Sequence, residues 1–153
     1  MARDLCPGGV EVSIQMNGLT DFQRDLFDVA TREVPKEAPK LMRKIGSKAR
    51  TKVAKKGRSL VKKKSGTYHK KWKRGKVFVG YQGELVVRVI NSAPHAHLIE
   101  DGHRMVDHEG NETGDFVPGK KVLDKGMREF ESSGDVEKET VKWLDELLRK
   151  KKL

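Results

Sequence analysis

Cysteine is nearly absent from this chain of 153 residues: Cys6 stands alone, so no intramolecular disulfide can form and no four-thiolate metal site can be built. Long apolar runs are missing too. No stretch approaches the ~18 consecutive apolar residues of a membrane helix. The opening Met-Ala-Arg-Asp-Leu-Cys-Pro-Gly-Gly has no apolar core of a secretion signal, so a reducing, cytosolic setting and no membrane partner are expected. Aromatic residues make up 6% and hydrophobic residues 35%, which limits the core to a modest size without making disorder the default.

The most informative absence is of acid: between Lys40 and Lys76 there is no Asp or Glu, while 17 of the chain's 33 Lys and Arg residues fall there. The remainder holds 16 cations against 22 acids and is therefore acidic. A chain so divided can neutralise phosphates with its basic region or set that region against the acidic face of a neighbouring copy. The length fits one domain. A single α+β domain over residues 1–153 is expected, with a basic mobile loop at about 62–76.

Period-2 alternation over Val10, Val12, Ile14 and Met16 predicts a strand over 10–16. Thr20 and Gln23 have capping-box spacing, which predicts a helix carrying Phe22, Leu26, Phe27, Val29 and Ala30 and ending at Pro35. A longer helix from about Lys36 would carry Leu41, Met42, Ile45, Ala49 and Val53 on a narrow stripe, with Gly57 weakening its last turns. Two β-branched runs, Val77–Tyr81 and Leu85–Ile90 around Gln82-Gly83, predict a hairpin. Pro94 opens a short helix through Asp101 that Gly102 stops, and a polar loop is expected from there to Gly119. Two helices close the chain, Val122–Phe130 and one from Asp135 with Val136, Thr140, Leu144, Leu147 and Leu148 on its apolar face.

The residue types that carry chemistry gather at His95, His97, Glu100 and His103. Imidazoles and a carboxylate are ligands that zinc and iron accept, and His97 and Glu100 share a helix face. The spacing is not that of His-Glu-x-x-His, and His95 and His97 would lie roughly 200° apart on a helix. A structural turn before Gly102 is the simpler reading. There is no Gly-x-x-x-x-Gly-Lys-Ser/Thr loop and no Gly-x-Ser-x-Gly elbow, so no catalytic residue, cofactor site or metal site is assigned. The basic stretch interleaves Tyr68, His69 and Trp72 with lysine, which supplies cations for phosphate and rings for stacking. Lys62, Lys63, Lys64, Tyr68, Lys70, Lys71, Trp72, Lys73 and Arg74 are the candidates for contact with DNA or a partner protein. A metal-dependent nuclease or a basic nucleic-acid-binding protein is the competing interpretation.

Several segments, in order, resemble the tailed-phage neck and tail-component family typified by the tenth gene product of phage Hong Kong 97. Ser65-Gly66-Thr67-Tyr68-His69-Lys70-Lys71-Trp72 is similar to the family's element after a long helix, and Val86 to Asn91 to its hydrophobic strand ending in Asn. Ala96-His97-Leu98-Ile99-Glu100-Asp101-Gly102-His103 resembles its Ala-His-Leu-x-Glu-x-Gly-His signature. Gly114-Asp115-Phe116-Val117-Pro118-Gly119 is similar to the motif leading into its last helices. Asp101, where an aromatic is frequent, and the lysine-dense loop depart from the pattern.

The resemblance implies a small antiparallel sheet with a long helix packed across it and C-terminal helices, and a structural subunit rather than an enzyme. It further implies a homo-oligomeric ring of six or twelve copies at the head-to-tail junction of the virion, assembled in the host bacterial cytoplasm. Its partners would be head-closure or connector proteins and tail proteins, with non-specific DNA contact. His97, Glu100, Gly102, His103, Phe116 and Pro118 would form its structural signature, with Glu100, Gly102 and His103 fixing a helix-to-loop turn.

Overall fold

The structure, a computed structural model, describes residues 17–153, so the strand expected over 10–16 lies outside the described residues. Helix α1 (Asn17–Asp28) passes through a π-type turn (Val29–Glu33) into α2 (Val34–Leu60) without leaving helical backbone. The expected break at Pro35 does not occur. Pro35 falls in the first turn of α2, where a missing N–H costs nothing, and the wide turn is closed by the Val34 N–H donating to the Val29 carbonyl. Of the apolar residues expected to anchor the first helix, only Val29 is buried; Phe22, Leu26 and Phe27 are exposed.

The buried face of α2 is made of Gly46, Ala49, Val53, Ala54 and Gly57, nearly all of them small. Gly57 does not fray the helix, because its bare Cα is where neighbours pack. A Cβ on Gly57 would stand 3.3 Å from Trp72 Nε1, and one on Gly46 2.8 Å from Val87 Cγ2. The strands so admitted are β1 (Trp72–Val79) and β2 (Leu85–Asn91), an antiparallel hairpin running from Trp72 opposite Asn91 to Val79 opposite Leu85. The predicted hairpin is present, but β1 begins at Trp72 rather than Val77. One extra residue of β1 between Arg74 and Val77 breaks the register, and a bulge of this kind hides strand periodicity from a sequence pattern.

The stretch expected as a loop over 62–76 is correspondingly corrected. Residues 61–66 and Lys71 are irregular; Thr67–Lys70 form a helical turn, α3, and β1 starts at Trp72. Tyr68 and Trp72, 3% and 4% exposed, are core residues, and their rings meet edge-to-face at 5.6 Å. With Val53, Ala54, Ala93, Ala96 and Val122 they form the central buried cluster.

A short helix α4 (Ala96–Asp101) ends at Gly102 as expected. The polar loop expected beyond it is a second hairpin, β3 (Gly102–Val106) with β4 (Glu112–Pro118). Asp107 shapes its turn, Oδ1 accepting the Glu109 and Asn111 N–H groups at 2.9 and 2.8 Å, and these bonds hold its carboxyl below the ordinary carboxylate range. Every residue of β4 is exposed, so no apolar alternation marks it in the sequence. The two hairpins are separate two-stranded sheets, and the fold is α+β.

Helices α5 (Val122–Glu131) and α6 (Asp135–Lys150) close the chain. In α5, Gly126 lets the helix settle onto α2, since a Cβ there would stand 2.8 Å from Val53 Cα. The packed face of α6 is not the expected one: Glu139 and Leu147 are its buried residues, while Val136 and Leu144 are exposed. A carboxylate holds that position because two lysines of α2 meet it. Lys44 Nζ and Lys48 Nζ each stand 2.6 Å from Glu139, Lys52 pairs with Asp135 at 3.6 Å and Lys56 with Glu129 at 2.9 Å. Lysines spaced four apart form one stripe, and this stripe is neutralised by the chain's own C-terminal helices. At the far end Lys151 donates to Asp28 at 2.8 Å.

Close packing and charge pairing each lead to a measurable outcome. In an exposed helix Gly→Ala stabilises by roughly 0.5–1 kcal/mol, but Gly126→Ala forces a methyl against the α2 backbone and should instead destabilise by about 1–3 kcal/mol, as overpacking does. Urea denaturation reads this, and a gain in stability would refute the close approach. The second outcome concerns acid. Bonds from Lys44 and then Lys48 hold Glu139 at about 2, below its ordinary 4.5. Its folded value is thus depressed, so its contribution is complete above about pH 4.5 and lost as pH falls toward about 2. Glu139→Gln should flatten the acid limb of a stability-versus-pH curve in that window, and an unchanged limb would count against the pairing.

Candidate functional site

The signature residues converge where α4 ends. The Glu100 carboxylate serves two elements at once: Oε1 accepts the Tyr68 hydroxyl at 2.7 Å, and Oε2 accepts the Leu123 N–H at 3.0 Å. Leu123 lies in the first turn of α5, where N–H groups lack helical partners and a carboxylate suits the positive end of the helix. Burial first, and then the bond to Glu100, push the Tyr68 hydroxyl above its ordinary value of 10, so it stays protonated and donates.

The backbone around Glu100 is fastened in parallel. The Lys120 N–H donates to the Ile99 carbonyl at 2.7 Å and the Lys121 N–H to the Glu100 carbonyl at 3.2 Å. Lys121 Nζ reaches Asp101 at 2.7 Å, and Lys120 Nζ donates to the Leu60 carbonyl at 2.8 Å, satisfying the C-terminal end of α2. Gly102 has φ +91, closes α4 by donating to the Leu98 carbonyl, and pairs with Pro118 across the second hairpin. A Cβ there would strike the Val117 carbonyl and the Phe116 ring. His103 stands opposite Val117, with Nδ1 3.4 Å from the Leu98 carbonyl.

Glu100, Gly102, His103, Phe116 and Pro118 are therefore brought together, whereas His97 is exposed on α4. His95, His97, Glu100 and His103 do not converge: among the described residues no group of three or more His, Cys, Asp or Glu is placed to hold a metal ion. Both oxygens of Glu100 are already engaged. Of the basic candidates, Lys62, Lys63, Lys64, Lys70, Lys71 and Lys73 are exposed. Arg74 is half-buried, donating to the Gly75 carbonyl at 2.9 Å. Tyr68 and Trp72 leave the set of possible contact residues, because they are buried.

Asn91 is a further fastening residue. Its Nδ2 donates to the Tyr68 carbonyl at 2.9 Å and its Oδ1 accepts the Ala93 N–H at 3.0 Å, locking α3 to the end of β2. Its position at the close of a β-branched run was the available signal. Gly119 had none of that kind, although a Cβ there would collide with the Glu100 carbonyl.

One side of these fastenings lies in the stretch that a family comparison singles out. A family model described as "Bacteriophage HK97-gp10, putative tail-component" matches residues 20–102, just over half of the chain. The chain belongs to this family. The match runs from α1 through the first hairpin to Gly102, so it includes Tyr68, Asn91 and Glu100, while the Gly114–Gly119 resemblance lies beyond it. No curated protein and no solved structure matches the chain. In this member of the HK97-gp10-like family of bacteriophage tail components, the single carboxylate of Glu100 joins α3, α4 and α5.

Tyr68→Phe removes a hydrogen bond to a charged group and should cost roughly 2 kcal/mol. Glu100→Ala should cost more, because it strands both the Tyr68 hydroxyl and the Leu123 N–H. In a double-mutant cycle read by denaturant unfolding the two changes should couple by about 1 kcal/mol or more. Strict additivity would show that the contact contributes nothing.

Proposed function

We propose that the protein is a single-domain structural subunit that packs with copies of itself into a ring at the head-to-tail junction of a tailed phage or prophage, as a neck or tail-completion component. The family match over residues 20–102 carries this reading. The surface supports it: Phe27 is 70% exposed, Val106 and Phe116 each 59% and Val79 65%, on α1 and at both hairpins. Large apolar side chains left open on α1 and both hairpins are available for burial against neighbouring copies. Heterologous contacts around a closed rotation use different patches on each copy, as these are.

The signature turn would hold the second hairpin at a fixed angle to α2 for docking against the next copy, with head-closure or connector proteins on one side of the ring and tail proteins on the other. Six or twelve copies, in the virion, is the arrangement proposed. No helix among the described residues is long and apolar enough to cross a membrane. No step of this function calls for turnover.

Multi-angle light scattering across a concentration series should show a shift from monomer to a closed oligomer of a defined mass, and Phe116→Asp with Val106→Asp should abolish it while the circular dichroism spectrum is kept. A monomer at every concentration, with or without its tail-side partners, would overturn the ring.

A further inference from the structure

The charge on α2 is not spent evenly. One stripe, Lys44, Lys48, Lys52 and Lys56, is paired with α5 and α6. A second set converges on an open cleft of about 800 Å³ between the C-terminal half of α2, the 61–66 connection and α3. Its walls carry Arg50, Arg58, Lys62, Lys63 and Lys70, with Lys120 at the rim, and no Asp or Glu. Among the described residues none of the first five has a carboxylate within ion-pair distance; Arg50 reaches only the Thr51 hydroxyl, at 3.5 Å. Five uncompensated cations around one cleft repel one another, and a polyanion relieves that repulsion.

We infer that this cleft binds the sugar-phosphate backbone of double-stranded DNA without regard to sequence. Arg50 and Arg58 lie eight residues apart on α2, ~12 Å along its axis, enough to reach more than one phosphate of a strand that carries one for every ~3.4 Å of duplex axis. The rings at the cleft offer a single strand little open face: Trp72 is buried against Tyr68 and His69 is half-buried, so no extended stacking platform is present there. A second copy of the chain is a poorer occupant. Its 22 acids include only two adjacent pairs, Glu100-Asp101 and Asp145-Glu146, and no run of three. Moreover Glu129, Asp135 and Glu139 are already held by the paired stripe of α2. Because the cleft is complete within one chain, binding is expected whether or not copies assemble into a ring.

Fluorescence anisotropy with random-sequence 30-base-pair duplexes tests this on the full chain. With about five phosphate contacts, affinity should fall ~10²- to 10³-fold between 50 and 200 mM salt, at a log-log slope near −4.5. Arg58→Glu with Lys62→Glu, both exposed, should weaken binding at least tenfold and lower the slope by about 2. Lys138→Glu with Lys142→Glu on α6 makes the same charge change away from the cleft and should shift affinity less than threefold, both pairs keeping the parent melting curve. The inference is overturned if the cleft pair binds as the parent does, if the α6 pair loses as much, or if the parent does not bind at 50 mM salt. Poly-glutamate of equal charge displacing the duplex as readily as unlabelled DNA would also overturn it, marking a general acidic-partner site.

Discussion

The core of this fold is arranged around how closely other elements can approach α2. Its inner face carries almost no side-chain volume, with Gly46, Ala49, Val53, Ala54 and Gly57 buried along it. β2 comes in over Gly46, Trp72 over Gly57, and α5 brings its own Gly126 down onto Val53. A chain with 35% hydrophobic residues cannot fill a wide interior. It gains dispersion contacts and excludes water by bringing backbones together instead. The core of Tyr68, Trp72 and Val122 exists because the helix beside it is thin.

The same helix organises the charge. Close packing of α5 and α6 brings Glu129, Asp135 and Glu139 against the lysines spaced along one edge of α2, which turns a repulsive run into a ladder of pairs. Each such pair contributes little alone when it faces water, but together they offset the mutual repulsion of Lys44, Lys48, Lys52 and Lys56 along that edge. Arg50, Arg58, Lys62, Lys63 and Lys70, gathered at the cleft, have no such partner among the described residues. Local folding thus sorts one basic segment into a part that stabilises the subunit and a part left free to meet an outside anion.

Much of this was legible in the sequence where a pattern had one dominant cause. The α+β class, the long helix, the first hairpin, the stop at Gly102 and both C-terminal helices follow from periodicity, turn residues and glycine placement. Elements escaped where tertiary contacts supplied the cause. Pro35 reads as a terminator but sits where a helix tolerates it; β1 hides behind its bulge; β3 and β4 show no alternation because no second layer covers β4. Glu139 faces inward on α6 because Lys44 and Lys48, some ninety residues earlier, await it. At the site, the resemblance named His97, Glu100, Gly102, His103, Phe116 and Pro118; all but His97 lie at the junction of α4 with the second hairpin, and His97 is exposed on α4. Tyr68 and Trp72 read as contact residues because they stand among lysines, and only the packing against Gly57 shows them to be core.

A chain built this way has a closely packed interior, a carboxylate clasp at Glu100 that joins α3, α4 and α5, and apolar residues at its periphery without cover. Those properties suit a component of a larger particle better than a freestanding catalyst. Quantitative mass spectrometry of purified particles from the phage or induced prophage that encodes it decides the matter. The chain should be present at a fixed copy number per particle, six or twelve relative to the other junction proteins. If instead the protein is abundant in the producing cell and absent from finished particles, it is not a structural part of the tail or its junction.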